Sequence, residues 1–156
     1  MQNVPVVNKV ATEKLPRHVY AKVEGILYNY KTFDSQIRIN EAELEAMMPS
    51  LSTSIVTMMG KSGTRPDSQQ EKWVLQLEDR KALQIRKKVL RLRAQKRAVD
   101  DALQYMGDRE KQIFDLKYMR ELSHKEVFEH MNLLDRTYRR SKDELIKKFA
   151  TFLGLL

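Results

Sequence analysis

The sequence contains no cysteine, which removes disulfides, thiolate zinc sites and thiol nucleophiles together. Glycine and proline are scarce, five and four in 156 residues, too few for a collagen-like or low-complexity chain. Long apolar runs are also missing: nothing reaches the roughly 18 residues that a transmembrane helix needs. The first twenty residues carry neither an apolar signal-peptide core nor a small-residue cleavage site. The expectation is an intracellular protein with no membrane segment. Only three histidines occur, and His124 and His130 lie six apart, on different sides of a helix, so no zinc pair follows. There is no GxxxxGK[ST], GxGxxG or GxSxG pattern. Carboxylates such as Glu43, Glu45, Asp100 and Asp101 fall on helix exteriors among basic neighbours, the ordinary solvated arrangement. These absences argue against an enzyme and against a metal or cofactor.

What is present is helix-forming and basic: 42% of residues are hydrophobic, 32% are charged, and the formal net charge is +8. Residues 1–69 carry 8 Lys or Arg against 7 Asp or Glu, residues 70–107 carry 10 against 5, and residues 108–156 carry 11 against 9. The excess is therefore central. Ile85 to Arg97 (IRKKVLRLRAQKR) holds seven basic side chains and no acidic one, a density suited either to a polyanion such as DNA or to a solvated helix face.

Hydrophobic spacing predicts two long helices. The first begins after Pro16 and is expected to stop before Pro49, because proline cannot continue a helix. Steps of four and three within it pick out Val19, Val23, Ile26, Tyr30, Phe33, Ile37, Asn40, Leu44 and Met47, a heptad stripe. Residues 49–70 are rich in Ser, Thr, Gly and Pro, with breakers at Gly60, Gly63 and Pro66, and read as a flexible loop ending in a cap at Asp67 or Ser68. The second stripe runs Leu75, Glu78, Ala82, Ile85, Val89, Leu92, Lys96, Val99, Leu103 and Met106. Helices this long need a partner for their seams. It can be the other helix, in an antiparallel hairpin, or the same helix in another subunit, and buried Asn40 is a candidate register residue. Trp73 and the eight Met are expected in core or seam.

After Gly107 three short helices replace the long repeat. Asp108 opens the first, whose Ile113, Leu116 and Met119 share a face; Arg120, Glu121 and Leu122 link it to the next. Ser123 with Glu126 is a capping box for the second, HKEVFEHM. Asn132, Leu133 and Leu134 turn the chain, and Asp135 is the expected cap of the third, Arg136 to Leu153, which Gly154 ends. A short helix, a tight turn and a longer helix describe a helix-turn-helix, with Val127, Met131, Leu133, Tyr138 and Leu145 fixing the angle between the two. The outward face then begins Asp135, Arg136, Thr137, Arg139, Arg140, side chains able to reach base edges and phosphates in a major groove. An ordinary helix bundle with a basic solvated face is the alternative.

The run from Asp108 to Phe149 resembles sigma factor region four, through Leu116 and Tyr118, the Leu-Ser-His-Lys-Glu-Val sequence at Leu122 to Val127, and Thr137 to Arg139. Departures stand at Phe128, where a small residue is usual, at Asn132 for a turn glycine, at Leu134 for a hydroxyl cap, and at Ser141 and Lys142. Together with Leu27-Tyr28-Asn29-Tyr30-Lys31, Ile37 and the Pro66-Asp67-Ser68 connection, the chain is similar to ArpU/RinA-type bacteriophage late transcription regulators over most of residues 20–153. The resemblance implies that Asp135, Arg136, Thr137, Arg139 and Arg140 face promoter DNA, and that the protein activates late genes in the cytoplasm of a bacterial host.

The expected fold is all-α: an arm (1–16), a long helix (17–48), a flexible loop (49–68), a long basic helix (69–106) and a helix-turn-helix domain (107–156). The expected partner is double-stranded DNA, with RNA polymerase and a second copy of the chain as further candidates. Lys125, Lys142 and Lys147 are candidate phosphate contacts, and Arg86, Lys87, Arg91, Arg93, Lys96 and Arg97 candidate backbone contacts. Two rival readings are a DNA-packaging component resembling a small terminase subunit and a helical protein-binding adaptor.

Overall fold

The computed structural model describes residues 14–59 and 69–156, and their regular structure is all helical, without a strand among them. The order is α1 (Arg17–Asn29), a 3-10 turn (Tyr30–Thr32), α2 (Phe33–Met59), α3 (Gln69–Gln104), α4 (Asp108–Phe114) continuing into a π-helical turn (Asp115–Met119), α5 (His124–His130) and α6 (Asp135–Phe152). Among the described residues no helix is long and apolar enough to cross a membrane.

The single helix expected over 17–48 is interrupted at its middle. Asn29 Nδ2 donates to the Gly25 carbonyl at 2.7 Å and Thr32 Oγ1 to the Asn29 carbonyl at 2.8 Å. Such side chains compete with the backbone ladder and favour a local tightening. The hydrophobic stripe survives the break. Val19, Val23, Ile26, Phe33, Ile37 and Asn40 are buried, and Tyr30, Leu44 and Met47 lie half-buried against the core. Asn40 Nδ2 donates to the Gln36 carbonyl of its own helix rather than across the seam.

Pro49 does not end the helix, and residues 49–59 are not a loop. α2 passes through Pro49 to Met59. A helix-interior proline removes one backbone hydrogen bond and crowds one carbonyl, but neighbouring turns keep theirs. From Ser50 to Met59, the last described residue of this helix, the chain contains no further proline or glycine. The rest of the expected loop and the caps at Asp67 and Ser68 lie outside the described residues.

α2 and α3 pack antiparallel. Asp34 pairs with Lys96 (3.7 Å) and Glu43 with Lys81 (2.8 Å), with an Arg93–Glu41 pair between them, so residue numbers rise in one helix as they fall in the other. The α3 stripe meets this seam through Ala82, Ile85, Val89 and Leu92, all buried. Trp73 is not a core residue: it sits two positions before Leu75, about 200° round the helix, and is 65% exposed.

One core joins the long helices to the short ones. Val23 and Leu27 of α1, Val99 and Ala102 of α3, Ile113 of α4 and Tyr118 of the π turn enclose Tyr138, Leu145, Ile146 and Phe149 of α6. The core is thus continuous across residue 107. α6 contributes positions 138, 142, 145, 146, 149 and 150, a helical stripe against α1, α3, α4 and α5, and leaves its opposite face to solvent.

Candidate nucleic-acid interface

The segment presenting that free face is fixed by local signals. At the start of α5 the Glu126 amide donates to Ser123 Oγ (3.3 Å) while Glu126 Oε2 accepts from the Ser123 amide (2.7 Å), the capping box expected from sequence. Hydrogen bonding from the Ser123 hydroxyl and then the Ser123 amide holds the exposed Glu126 carboxyl below the usual carboxylate range. α5 ends on Asn132, whose φ of 51° is left-handed. The Asn132 amide reaches the Glu129 carbonyl (3.1 Å) and the Leu133 amide the Phe128 carbonyl (2.8 Å), so asparagine fills the place that glycine usually takes in such a stop. Gly154 closes α6 in the same way, with φ 65° and the Leu155 amide bonded to the Ala150 carbonyl at 2.9 Å. Asp135 is not the cap of α6. Leu134 holds that position and Asp135 is the first helical residue, where its carboxylate still opposes the positive helix end.

The angle between α5 and α6 rests on Tyr138. Val127, Tyr138 and Leu145 are fully buried, with Met131 and Leu133 half-buried beside them. His124 Nδ1 lies 2.9 Å from the Tyr138 hydroxyl, and the Phe128 ring packs on the Tyr138 ring at 6.1 Å. The aromatic Phe128 thus fills space that a small residue would leave open. Burial pushes the Tyr138 phenol up to about 12, with Tyr28, Glu24 and Asp135 adding to the rise.

Behind this pair stands Glu24 of α1. It accepts from the Tyr118 hydroxyl (3.1 Å) and pairs with Lys142 Nζ (2.6 Å), while the Lys142 ammonium also sits 5.4 Å from the Tyr20 ring centre. Lys142 is only 7% exposed. It is therefore not a surface phosphate contact: its charge is consumed in tying α6 to α1, and its position on the buried stripe of α6 decides this. Burial, reinforced by Glu24, drives the Tyr118 phenol far above its ordinary value. An open depression of about 390 Å³ lies over this network, lined by Tyr20, His124, Tyr138, Arg139, Lys142 and Asp143.

The other sequence-selected residues of this region reach solvent. Arg136 is exposed, and Thr137 and Lys147 are half-buried. Arg139 Nε donates to Asp135 Oδ1 at 3.0 Å, Arg140 pairs with Glu144 at 3.6 Å, and Lys125 with Glu129 at 3.8 Å. All three cations are at least 75% exposed, so these pairs are weak and easily exchanged for another anion.

The second basic surface is α3. Between Asp79 and Asp100 the chain has nine Lys or Arg and no acid. Arg93 and Lys96 reach toward the hairpin, Arg93 pairing with Glu41 while staying more than half exposed, and the less exposed Lys96 held between Asp34 and Asp100. The flanks of a heptad seam are where such cross-helix pairs form, and the acids of α2 were the available signal. Arg86, Lys87, Arg91 and Arg97 are exposed, and so are Lys88 of the same basic run and Arg80 ahead of it. Among the described residues no cluster of three His, Asp or Glu side chains is placed to hold a metal ion.

A family model described as a protein of unknown function, DUF722, matches residues 19–151. The chain belongs to the DUF722 family. The match opens in α1 and closes in the last turn of α6, so it takes in the whole core and both basic surfaces. No curated protein and no solved structure matches the chain.

Proposed function

We propose that this DUF722 member is a sequence-specific, non-catalytic DNA-binding regulator that reads duplex DNA with α6 as the second helix of a helix-turn-helix. The observation that carries the reading is the division of α6. Its apolar stripe is locked into the core through Tyr138, Leu145 and Phe149, while Arg136, Arg139 and Arg140 project from the opposite side of its first turns. Arginines at the start of an exposed helix suit paired contacts to guanine edges, and the helix N-terminus favours phosphate. Lys125 and Lys147 flank the same face as candidate phosphate contacts. The likeness to ArpU/RinA-type regulators extends the proposal to activation of phage late genes in a bacterial cytoplasm, with RNA polymerase or a second copy of the chain as candidate partners.

The test is selection of a duplex from a random pool, followed by footprinting. The wild-type protein is expected to protect one site, and Arg139→Glu with Arg140→Glu to lose it while the helical circular dichroism is retained. A footprint that persists in the double variant would overturn the assignment of these readers.

A further inference from the structure

The outward side of α3 carries a second heptad pattern that the hairpin does not use and whose leucines a DNA contact through Lys87 and Arg97 would leave without a role. Arg80, Leu83, Lys87, Leu90, Ala94 and Arg97 follow one another by alternating steps of three and four, and all are exposed. Leu83 is 52% and Leu90 65% exposed. Trp73, seven residues before Arg80, lies on the same side. The three cations of this stripe have no ion pair among the described residues, unlike Lys81, Arg93 and Lys96 on the α2 side.

We propose that this face docks an acidic amphipathic helix of a partner protein, with apolar side chains seated on Leu83, Leu90 and Ala94 and carboxylates opposite Arg80, Lys87 and Arg97. Three occupants compete for such a surface, and charge and spacing separate them. A second copy pairing through the same face would set three unneutralised cations against three others, which like-charge repulsion opposes. A nucleic-acid backbone would neutralise the cations and leave both leucines without an apolar neighbour. A helix with Leu at heptad spacing and Glu at the flanks satisfies both sets. The inference stands whether or not α6 binds DNA.

Trp73 is the only tryptophan in the chain and reports on the stripe directly. The full-length protein is titrated with a synthetic helix of about four heptads carrying Leu and Glu in this arrangement, with a scrambled peptide of equal composition, and with a random-sequence duplex. The expected result is a blue shift of Trp73 emission with the patterned peptide and at least tenfold weaker binding of the scrambled one. Leu83→Ser with Leu90→Ser should weaken the patterned peptide at least tenfold with an unchanged thermal melt. Equal binding of both peptides, or tighter binding of the duplex that the leucine variant leaves intact, would overturn the proposal in favour of a polyanion track. A protein dimer in sedimentation that the leucine variant abolishes would overturn it in favour of self-association.

Discussion

The outward faces of α3 and α6 are both basic and differ in how their charge is held. On α3 the cations outnumber any local acid, so six of them stand exposed with no ion pair among the described residues. On α6, Arg139 and Arg140 each keep a carboxylate four residues away, and only Arg136 stands clear at the helix start. An unpaired array attracts polyanions or acidic surfaces without discrimination. A sparse set pre-oriented by intrahelical pairs is better suited to selecting one arrangement of partners, because each guanidinium must exchange an existing bond for a new one. Charge density and site organisation are thus separable in one small molecule.

The comparison presumes that one core carries both faces, and the largest expected effect comes from breaking that core. Phe149 is fully buried and packs 5.7 Å from the Phe114 ring. Phe149→Ala should cost about 3–5 kcal/mol in urea unfolding. Helicity and Tyr138 burial should be lost in a single transition; two separate transitions would show that α3 and α6 belong to independent units.

Next in size is the tether of α6 to α1. Glu24→Gln leaves the Lys142 ammonium buried without its carboxylate, and a loss of about 3 kcal/mol is expected, the low end for a buried pair because Glu24 keeps 24% of its side chain exposed. Lys142→Met should cost far less, since an apolar side chain suits that stripe. Equal losses in the two variants would mean that the pair, not the stranded charge, dominates.

On the DNA reading, the faces should then part company. Arg139→Glu with Arg140→Glu should remove discrimination between duplexes, about 1–3 kcal/mol per arginine that contacts a base, with stability changed by less than about 0.5 kcal/mol. Alanine at Arg86, Lys87 or Arg91 should leave discrimination intact. If α3 touches the same duplex, each such change lowers the salt slope by about one unit; if α3 serves only a protein partner, the slope does not move.

Much of this molecule was legible in its sequence because helix signals are local. The stripe from Val19 to Met47, the Ser123–Glu126 box and the stop at Gly154 depend on residues within about one turn of each other. Pro49 misled because its effect on a helix is a cost, not a prohibition, and the following ten residues contain nothing else that ends one. Lys142 misled for a different reason: a lysine on an amphipathic helix is usually solvated, and only the arrival of Glu24 from 118 positions earlier makes its burial tolerable. Arg93 and Lys96 were likewise claimed by α2 acids distant in sequence. Long-range pairing is what a one-dimensional reading cannot supply.

The smallest expected effect sharpens the account of the α5–α6 joint. Burial holds the His124 imidazole below its ordinary pKa, and the charges of Lys142, Lys117 and Arg139 add to this, with Glu24 opposing. Tyr138 bonds its Nδ1, and Tyr20 and Asp143 share the depression beside it. The unfolded chain therefore binds a proton at His124 more readily than the folded one. Linkage then makes stability rise with pH between the lowered folded value and the unfolded value of about 6.5, and fall on acidification through that window. Below the folded value both states are protonated and the loss is complete. The measurement is the difference in melting temperature between pH 8 and pH 5.5, compared in wild type and His124→Gln, so that contributions common to both proteins cancel. A smaller acid-induced drop in the variant is expected, and an equal drop would place the pH sensitivity elsewhere than in the ring that seats Tyr138.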